Sequence, residues 1–217
     1  MTNELLKDAL SQRILPAVTF SSAEEALPVA EAMFRGGLRV MEVTFRTSAA
    51  AAAVSMIRKE LPEMYIGAGT LLSVSQLKMA VDAGVQFGLA PGFNRTICET
   101  AIDDHFPFIP GVMTPSEIEA AAGMGFHILK LFPAAQLNGV GFLNAIQDPY
   151  QSLQVKFVPM GGVSVDNMNE YLKLKNVIAV GGSWLTKKEF VSTGRFDQIT
   201  ENVRTALMRV SKQFPAN

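Results

Sequence analysis

Lys130 stands in the run His127-Ile-Leu-Lys-Leu-Phe-Pro133, with a leucine on either side and Phe132 two residues on. Lysine is almost never fully buried without a partner, so an amine at the centre of an apolar run needs a reason. Two readings compete. One is a side chain that snorkels at a strand end, or is locked with Glu42 in a static salt bridge. The other is a nucleophile. Burial disfavours the ammonium form of a lysine. At the ordinary pKa of about 10.4 roughly one amine in a few thousand is neutral at pH 7, whereas at ~7 to 8 a sizeable fraction is free to attack a carbonyl carbon.

The run Val40-Met-Glu-Val-Thr-Phe-Arg46 places polar groups where a strand should be apolar. Side chains alternate between the faces of a strand, so Met41, Val43 and Phe45 share an apolar face and Glu42, Thr44 and Arg46 the opposite one. Three polar groups on one face of a core strand need a reason, and the plainest ones are an internal ion pair or an edge strand facing water.

Glycine pairs close the last two apolar runs, Val158-Pro-Met-Gly-Gly162 and Val180-Gly-Gly-Ser183. Backbone N–H groups bared by glycine approach an anion closely, and the loops after the seventh and eighth strands of a barrel commonly hold phosphate. Turns also use glycine for positive φ, but two pairs at these two ends point to a phosphorylated ligand. Gly67-Ala-Gly-Thr70 adds a glycine-bordered strand end with a hydroxyl at Thr70.

Other chemistries are excluded. His105 and His127 are the only histidines and Cys98 the only cysteine, which removes an intrachain disulfide and any histidine-rich or multi-cysteine metal site. Asp103-Asp104-His105 reads as a solvated helix end. There is no P-loop and no G-x-S-x-G nucleophile elbow. Asn94-Arg-Thr96 matches a glycosylation sequon by chance, the methionines read as core filler, and Trp184 as packing beside the last strand.

The elements that must position these residues are legible as a repeat. Eight strand-length apolar runs recur: 14–20, 40–46, 65–71, 87–92, 107–113, 127–133, 156–162 and 177–183. Helical periodicity lies between them, at 23–35, 47–60, 74–83, 95–104, 115–122 and 165–174. Ser22, Ser73, Asn94, Thr114 and Ser164 stand where caps belong, with Gly36, Gly84 and Gly123 at three ends. Strand–helix alternation implies a mostly parallel sheet covered by helices. Eight units predict a single (β/α)8 TIM barrel over residues 1–217, in preference to an open doubly wound sheet, which more often has five or six strands and carries G-x-G-x-x-G after its first. An extra N-terminal helix at 2–12 should cap the barrel's bottom, and 195–212 should form the last helix.

Composition agrees. Among 217 residues, 48% are hydrophobic and 18% charged, enough apolar material for a large core. The 19 basic and 20 acidic residues leave a net charge of −1, which argues against nucleic acid as a partner. The opening residues lack the apolar stretch of a signal peptide, and the alanine-rich run at 49–54 falls far short of the ~20 residues that cross a bilayer. The expectation is a cytoplasmic protein with no membrane association.

Taken together, Glu42-Val-Thr-Phe-Arg-Thr47, Gly67-Ala-Gly-Thr70, Ala90-Pro-Gly92, Phe108-Ile-Pro-Gly111, Lys130-Leu-Phe-Pro-Ala134, Gly161-Gly162 and Gly181-Gly-Ser-Trp184 resemble the 2-keto-3-deoxy-6-phosphogluconate (KDPG) and 4-hydroxy-2-oxoglutarate aldolase family, in order from about Ile14 to Leu185. The resemblance implies a class I, Schiff-base aldolase of the Entner–Doudoroff pathway that needs no metal or organic cofactor and is usually a homotrimer. It would cleave the phosphorylated 2-keto-3-deoxy sugar acid to pyruvate and glyceraldehyde 3-phosphate. By the same resemblance Lys130 forms the Schiff base and Glu42 transfers protons. Arg46, Thr70, Pro91 and Phe132 hold the pyruvate part, and Gly161, Gly162, Gly182 and Ser183 the phosphate. Two departures leave the sugar acid open: Met160 stands where relatives of known activity often have threonine, and the segment 134–139 is atypical. Alternatives are an aldolase for the galactonate-derived epimer or for 4-hydroxy-2-oxoglutarate, an epimerase or decarboxylase on a similar barrel, and a catalytically silent sugar-phosphate sensor.

Overall fold

The structure, a computed structural model, describes residues 2–214, so Met1 and residues 215–217 of the expected 1–217 span lie outside the described residues. Every one of the eight apolar runs forms strand, and every paired strand is parallel. The strands are β1 (Ile14–Val18), β2 (Val40–Thr44), β3 (Tyr65–Gly69), β4 (Phe87–Leu89), β5 (Phe108–Ile109), β6 (Gly111–Val112), β7 (Ile128–Leu131), β8 (Lys156–Pro159) and β9 (Val180–Gly182).

They form a curled parallel sheet in two pieces rather than one ring of eight evenly paired strands. Six strands run in the order β5-β4-β3-β2-β1-β9, and three in the order β6-β7-β8. The division falls inside the fifth run, where Pro110 separates β5 from β6. Proline has no N–H to donate, yet its carbonyl accepts from Lys130 N at 2.9 Å, so the fifth run touches both pieces. At the other end one bridge, Phe157 to Val177, joins β8 to the approach to β9, with Phe157 N donating to Asn176 O at 2.7 Å and Ile178 N to Phe157 O at 3.0 Å.

The strands are shorter than the apolar runs that announce them, because the trailing residues of each run leave the ladder to build loops at the C-terminal ends. Phe45, Arg46, Thr70, Pro91, Phe132, Gly161, Gly162 and Ser183 all lie in those loops. In a parallel sheet every such loop falls on one side, which is how residues far apart in sequence become neighbours.

Among the described residues ten α-helices lie before, between and after the strands: α1 (Thr2–Ala9), α2 (Ala26–Arg35), α3 (Ala50–Glu60), α4 (Val74–Ala83), α5 (Arg95–Asp103), α6 (Pro115–Gly123), α7 (Gly139–Ala145), α8 (Met168–Leu172), α9 (Lys188–Ser192) and α10 (Phe196–Gln213). Several of the expected caps are present. Ser73 accepts from Gln76 N at 3.2 Å, and Asn94 from Ile97 N at 3.2 Å. Thr114 and Glu117 form a reciprocal capping box at the start of α6. Several element starts and ends change. The initial helix ends at Ala9 rather than residue 12, the first turn after Ser22 is a 3-10 turn, the helix read from 47 begins at Ala50, and the helix read from 165 begins at Met168. There Asn167 precedes the helix and its Oδ1 takes Ser164 N at 2.8 Å.

The core is continuous between sheet and helices. On α10, Ile199, Val203, Ala206 and Val210 are buried at helical spacing, and on α3 Ala50, Ala53, Val54 and Ile57. The methionines are not uniformly core: Met33, Met41 and Met64 are fully buried, whereas Met79, Met113 and Met208 are 53%, 45% and 55% exposed. Among the described residues no helix is long and apolar enough to cross a membrane.

Candidate active site

Lys130 is the third residue of β7, between the fully buried Leu129 and Leu131. Its Nζ lies 3.5 Å from Oε1 of Glu42, the central residue of β2, with side chains 6% and 1% exposed. The amine therefore does not snorkel to water. A buried pair of this kind is dear in desolvation, and it is imperfectly satisfied: Oε2 of Glu42 is buried without any hydrogen-bond partner. The carboxylate keeps one oxygen beside the amine and one unengaged, which suits an acceptor that must take a proton from something else.

Room for that carboxylate comes from β3. The register sets Glu42 opposite Gly67 and Thr44 opposite Gly69, and strand side chains lean along their own strand. A Cβ placed on Gly69 would stand 1.7 Å from Oε1 of Glu42. The sequence marked Gly67-Ala-Gly-Thr70 only as a strand end, and this function of Gly69 went unread. Its available signal was that a glycine sits one strand away from a glutamate on the same face of the sheet.

The polar face of β2 continues as read from its parity. Thr44 is buried, and Arg46 beyond it is exposed and turned back along the strand, its Nε donating to Thr44 Oγ1 at 3.3 Å and its Nη2 to Thr19 Oγ1 at 2.6 Å. Thr19, at the end of β1, was not foreseen. Thr70 follows β3 in the left-handed region at φ 61°, an unusual conformation for a β-branched residue and one found at functional sites. Pro91 follows β4 and is half-buried. Its backbone approaches so closely that a Cβ on Gly111 would meet Pro91 C at 2.3 Å.

Phe132 connects the amine to the glycine turns. Its ring centroid is 5.4 Å from Lys130 Nζ, and a Cβ on Gly161 would lie 3.0 Å from its Cε2. Gly161 and Gly162 have φ of 86° and 78°, so the turn after β8 needs glycine for its backbone path and for clearance alike. Gly182 ends β9 and Ser183, exposed, follows it. Met160 is buried across the interval between β8 and β9, its Cε 2.6 Å from where Gly181 would carry a Cβ. It presents no hydroxyl donor there.

The remaining candidates fall elsewhere. His105 and His127 line a cavity of about 560 Å³ near the N-terminal ends of β5 and β7, together with Leu6, Phe106 and Phe126. Asp103, Asp104 and His105 are solvated, and Asn94 of the sequon caps α5. Cys98 is fully buried, and burial pushes its thiol up to about 11. Among the described residues no three His, Cys, Asp or Glu side chains gather as a ligand set.

A curled parallel sheet that buries an amine beside a carboxylate, with glycine turns one aromatic ring away, places a nucleophile and a proton acceptor together in a water-poor site, an arrangement suited to chemistry on a carbonyl compound. The chain belongs to the KDPG and KHG aldolase family, whose sequence pattern matches residues 4–202. It is 42% identical over 188 residues to the 2-dehydro-3-deoxy-phosphogluconate aldolase of Treponema pallidum, covering 87% of this chain and 89% of that one. It superposes with a TM-score of 0.89, at 37% identity, on the KDPG aldolase from Legionella pneumophila with pyruvate captured at low pH as a covalent carbinolamine intermediate, covering 92% of this chain and 97% of that one. The KDPG aldolase of Zymomonas mobilis ZM4 with 3-phosphoglycerate matches with a TM-score of 0.82 at 31% identity, covering 92% and 95%.

Proposed function

We propose that this protein is a class I aldolase that reversibly cleaves KDPG to pyruvate and glyceraldehyde 3-phosphate, with Lys130 as nucleophile and Glu42 as acid and base. The observation that carries the reading is the buried contact of 3.5 Å between Lys130 Nζ and Glu42 Oε1. The captured pyruvate of the Legionella relative supports it.

The amine of Lys130 attacks C2 of the substrate, giving a carbinolamine. Loss of water leaves a protonated imine, an electron sink. Glu42 takes the proton of the C4 hydroxyl, the C3–C4 bond breaks, and its electron pair flows to the imine nitrogen, releasing glyceraldehyde 3-phosphate. The same carboxyl group returns a proton to C3 of the enamine. Hydrolysis then frees pyruvate and the amine. Arg46 receives the carboxylate of the keto acid as a planar fork of donors, with Thr70, Pro91 and Phe132 around the three-carbon part. Gly161, Gly162, Gly182 and Ser183 receive the phosphate through backbone N–H groups and a hydroxyl.

Borohydride with pyruvate should leave a reduced three-carbon adduct on Lys130, read by intact mass and peptide mapping. Absence of the adduct would sink the scheme. Because Met160 offers no hydroxyl beside Gly161, release of pyruvate should be assayed from KDPG, from its C4 epimer and from 4-hydroxy-2-oxoglutarate.

The same reading takes the eight runs as one closed barrel and one domain, supported by the fifth run's contact with both sheet pieces and by the Phe157–Val177 bridge. It also takes the protein as a cytoplasmic homotrimer. Exposed apolar side chains on and before α4, Leu72 and Met79 at 59% and 53%, support assembly. Light scattering should give three times the chain mass of 23.5 kDa.

A further inference from the structure

We infer that Thr19 is a positioning residue, which together with Thr44 occupies one edge of the Arg46 guanidinium and leaves only the opposite edge free for the substrate's carboxylate. The inference rests on the reading of Arg46 as the carboxylate clamp.

The geometry is a closed triangle. Arg46 Nη2 donates to Thr19 Oγ1 at 2.6 Å, Arg46 Nε donates to Thr44 Oγ1 at 3.3 Å, and the two hydroxyl oxygens are 2.8 Å apart, so one of them donates to the other. Nε and the adjacent Nη2 hydrogen form one fork of the planar guanidinium, and Nη1 with the second Nη2 hydrogen forms the other. The first fork is taken by two neutral acceptors. Among the described residues no carboxylate lies within 4.0 Å of Arg46. Its charge is thus oriented by hydroxyls without being neutralised, which is the state in which a guanidinium binds an incoming carboxylate by two charge-assisted bonds.

Of the two hydroxyls, Thr19 makes the shorter bond and comes from a different part of the chain, the residue just after β1. Without it the exposed Arg46 side chain keeps only the long Nε contact to its own strand and regains rotamer freedom that binding must then remove. The surrounding backbone is held independently: Thr47 Oγ1 donates to Phe20 O at 2.8 Å, and Gln76 Nε2 to Phe45 O at 3.2 Å. Loss of the Thr19 hydroxyl should therefore loosen Arg46 without moving the loops.

The test measures borohydride trapping at Lys130 against ketone concentration, using pyruvate and the uncharged pyruvamide. Thr19→Val, which keeps the branched shape, should raise the half-saturating pyruvate concentration about tenfold, the order expected for one hydrogen bond to a charged group. The trapping rate at saturation should stay unchanged. Pyruvamide, with no carboxylate to clamp, should show no shift, and Thr19→Ser should restore pyruvate binding to within about twofold to threefold. Thr19→Ala is the second hydroxyl-free variant should valine fail to fold. In an Arg46→Met background Thr19→Val should add nothing. An unshifted pyruvate curve, an equal shift for pyruvamide, or failure of serine to rescue would overturn the role of Thr19. No adduct in the unaltered protein would instead overturn the aldolase reading itself.

Discussion

The Cβ that Gly69 lacks would stand 1.7 Å from Oε1 and 2.4 Å from Cδ of Glu42. The carboxylate beside Lys130 therefore occupies space that any other residue at position 69 would fill. Backbone torsion plays no part, because Gly69 is not among the positive-φ glycines. Gly69→Ala should push the Glu42 carboxylate off Lys130 and cost about 1 to 3 kcal/mol of stability through overpacking. Retro-aldol turnover should fall by about 10²-fold or more, the scale of a displaced acid/base group. Parallel thermal unfolding and steady-state kinetics check it, and an alanine variant with unaltered kcat would refute the steric argument.

Glu42 and Lys130 should also separate by step. Glu42→Gln keeps the amine and should still give the borohydride adduct, while kcat drops by about 10²- to 10⁴-fold. Lys130→Met leaves a carboxylate buried alone and should lose about 3 to 5 kcal/mol. The double variant Lys130→Met with Glu42→Gln should recover much of that loss in denaturant unfolding, because no uncompensated charge then remains. A double variant as unstable as the single one would mean that the pair is not electrostatically coupled.

At the other end of the site, Gly162→Ala combines a φ of 78° with a Cβ that would meet Ala135 Cβ at 2.4 Å. We expect KM for the phosphorylated substrate to rise about tenfold or more, since a displaced turn re-aims its backbone N–H groups away from a charged ligand and such a bond is worth about that much. Adduct formation with pyruvate, which has no phosphate, should persist. Weakened trapping of pyruvate together with KDPG would show that the turn supports the amine and not the phosphate.

Cys98 gives a pH prediction. Burial raises its thiol from 9.0 to about 11, so the folded state holds the proton more tightly than the unfolded chain does. That contribution is complete below pH 9 and is lost as the pH rises toward 11. Stability measured across this window should fall more steeply in the unaltered protein than in Cys98→Ala. Iodoacetamide should label Cys98 slowly in the native protein at neutral pH and quickly in denaturant. Rapid native labelling would contradict its burial.

Much of this site was legible in advance because its residues contradict their surroundings. Lys130 and Glu42 are ionisable groups inside apolar strands, and the parity of β2 placed Glu42, Thr44 and Arg46 on one face before any coordinates were needed. Thr19 carried no such contrast: it lies in Thr19-Phe20-Ser21-Ser22, where a hydroxyl looks like ordinary turn chemistry. Its role depends on a partner 27 residues away. Gly69 was visible but misjudged, since a glycine at a strand end has many uses. The strand limits were overread because the apolar character of each run continues past the ladder into the loops, and hydropathy does not distinguish a paired residue from one leaving the sheet. The exposed Met79, Met113 and Met208 show the same limit in reverse.

By itself the sequence determined the alternation of parallel strands and helices, the caps that begin α4, α5 and α6, and which residues share a strand face. These depend on interactions within a few residues, where periods of 2 and 3.6 and local capping bonds operate. Only the tertiary structure decided that Lys130 meets Glu42 across 88 residues of chain, that the fifth run is shared at Pro110 between two pieces of sheet, and that Gly69 and Thr19 shape the surroundings of the carboxylate and the guanidinium. Those relations arise from strand register and the close packing of side chains from separate strands, and neither leaves a periodic trace in the chain.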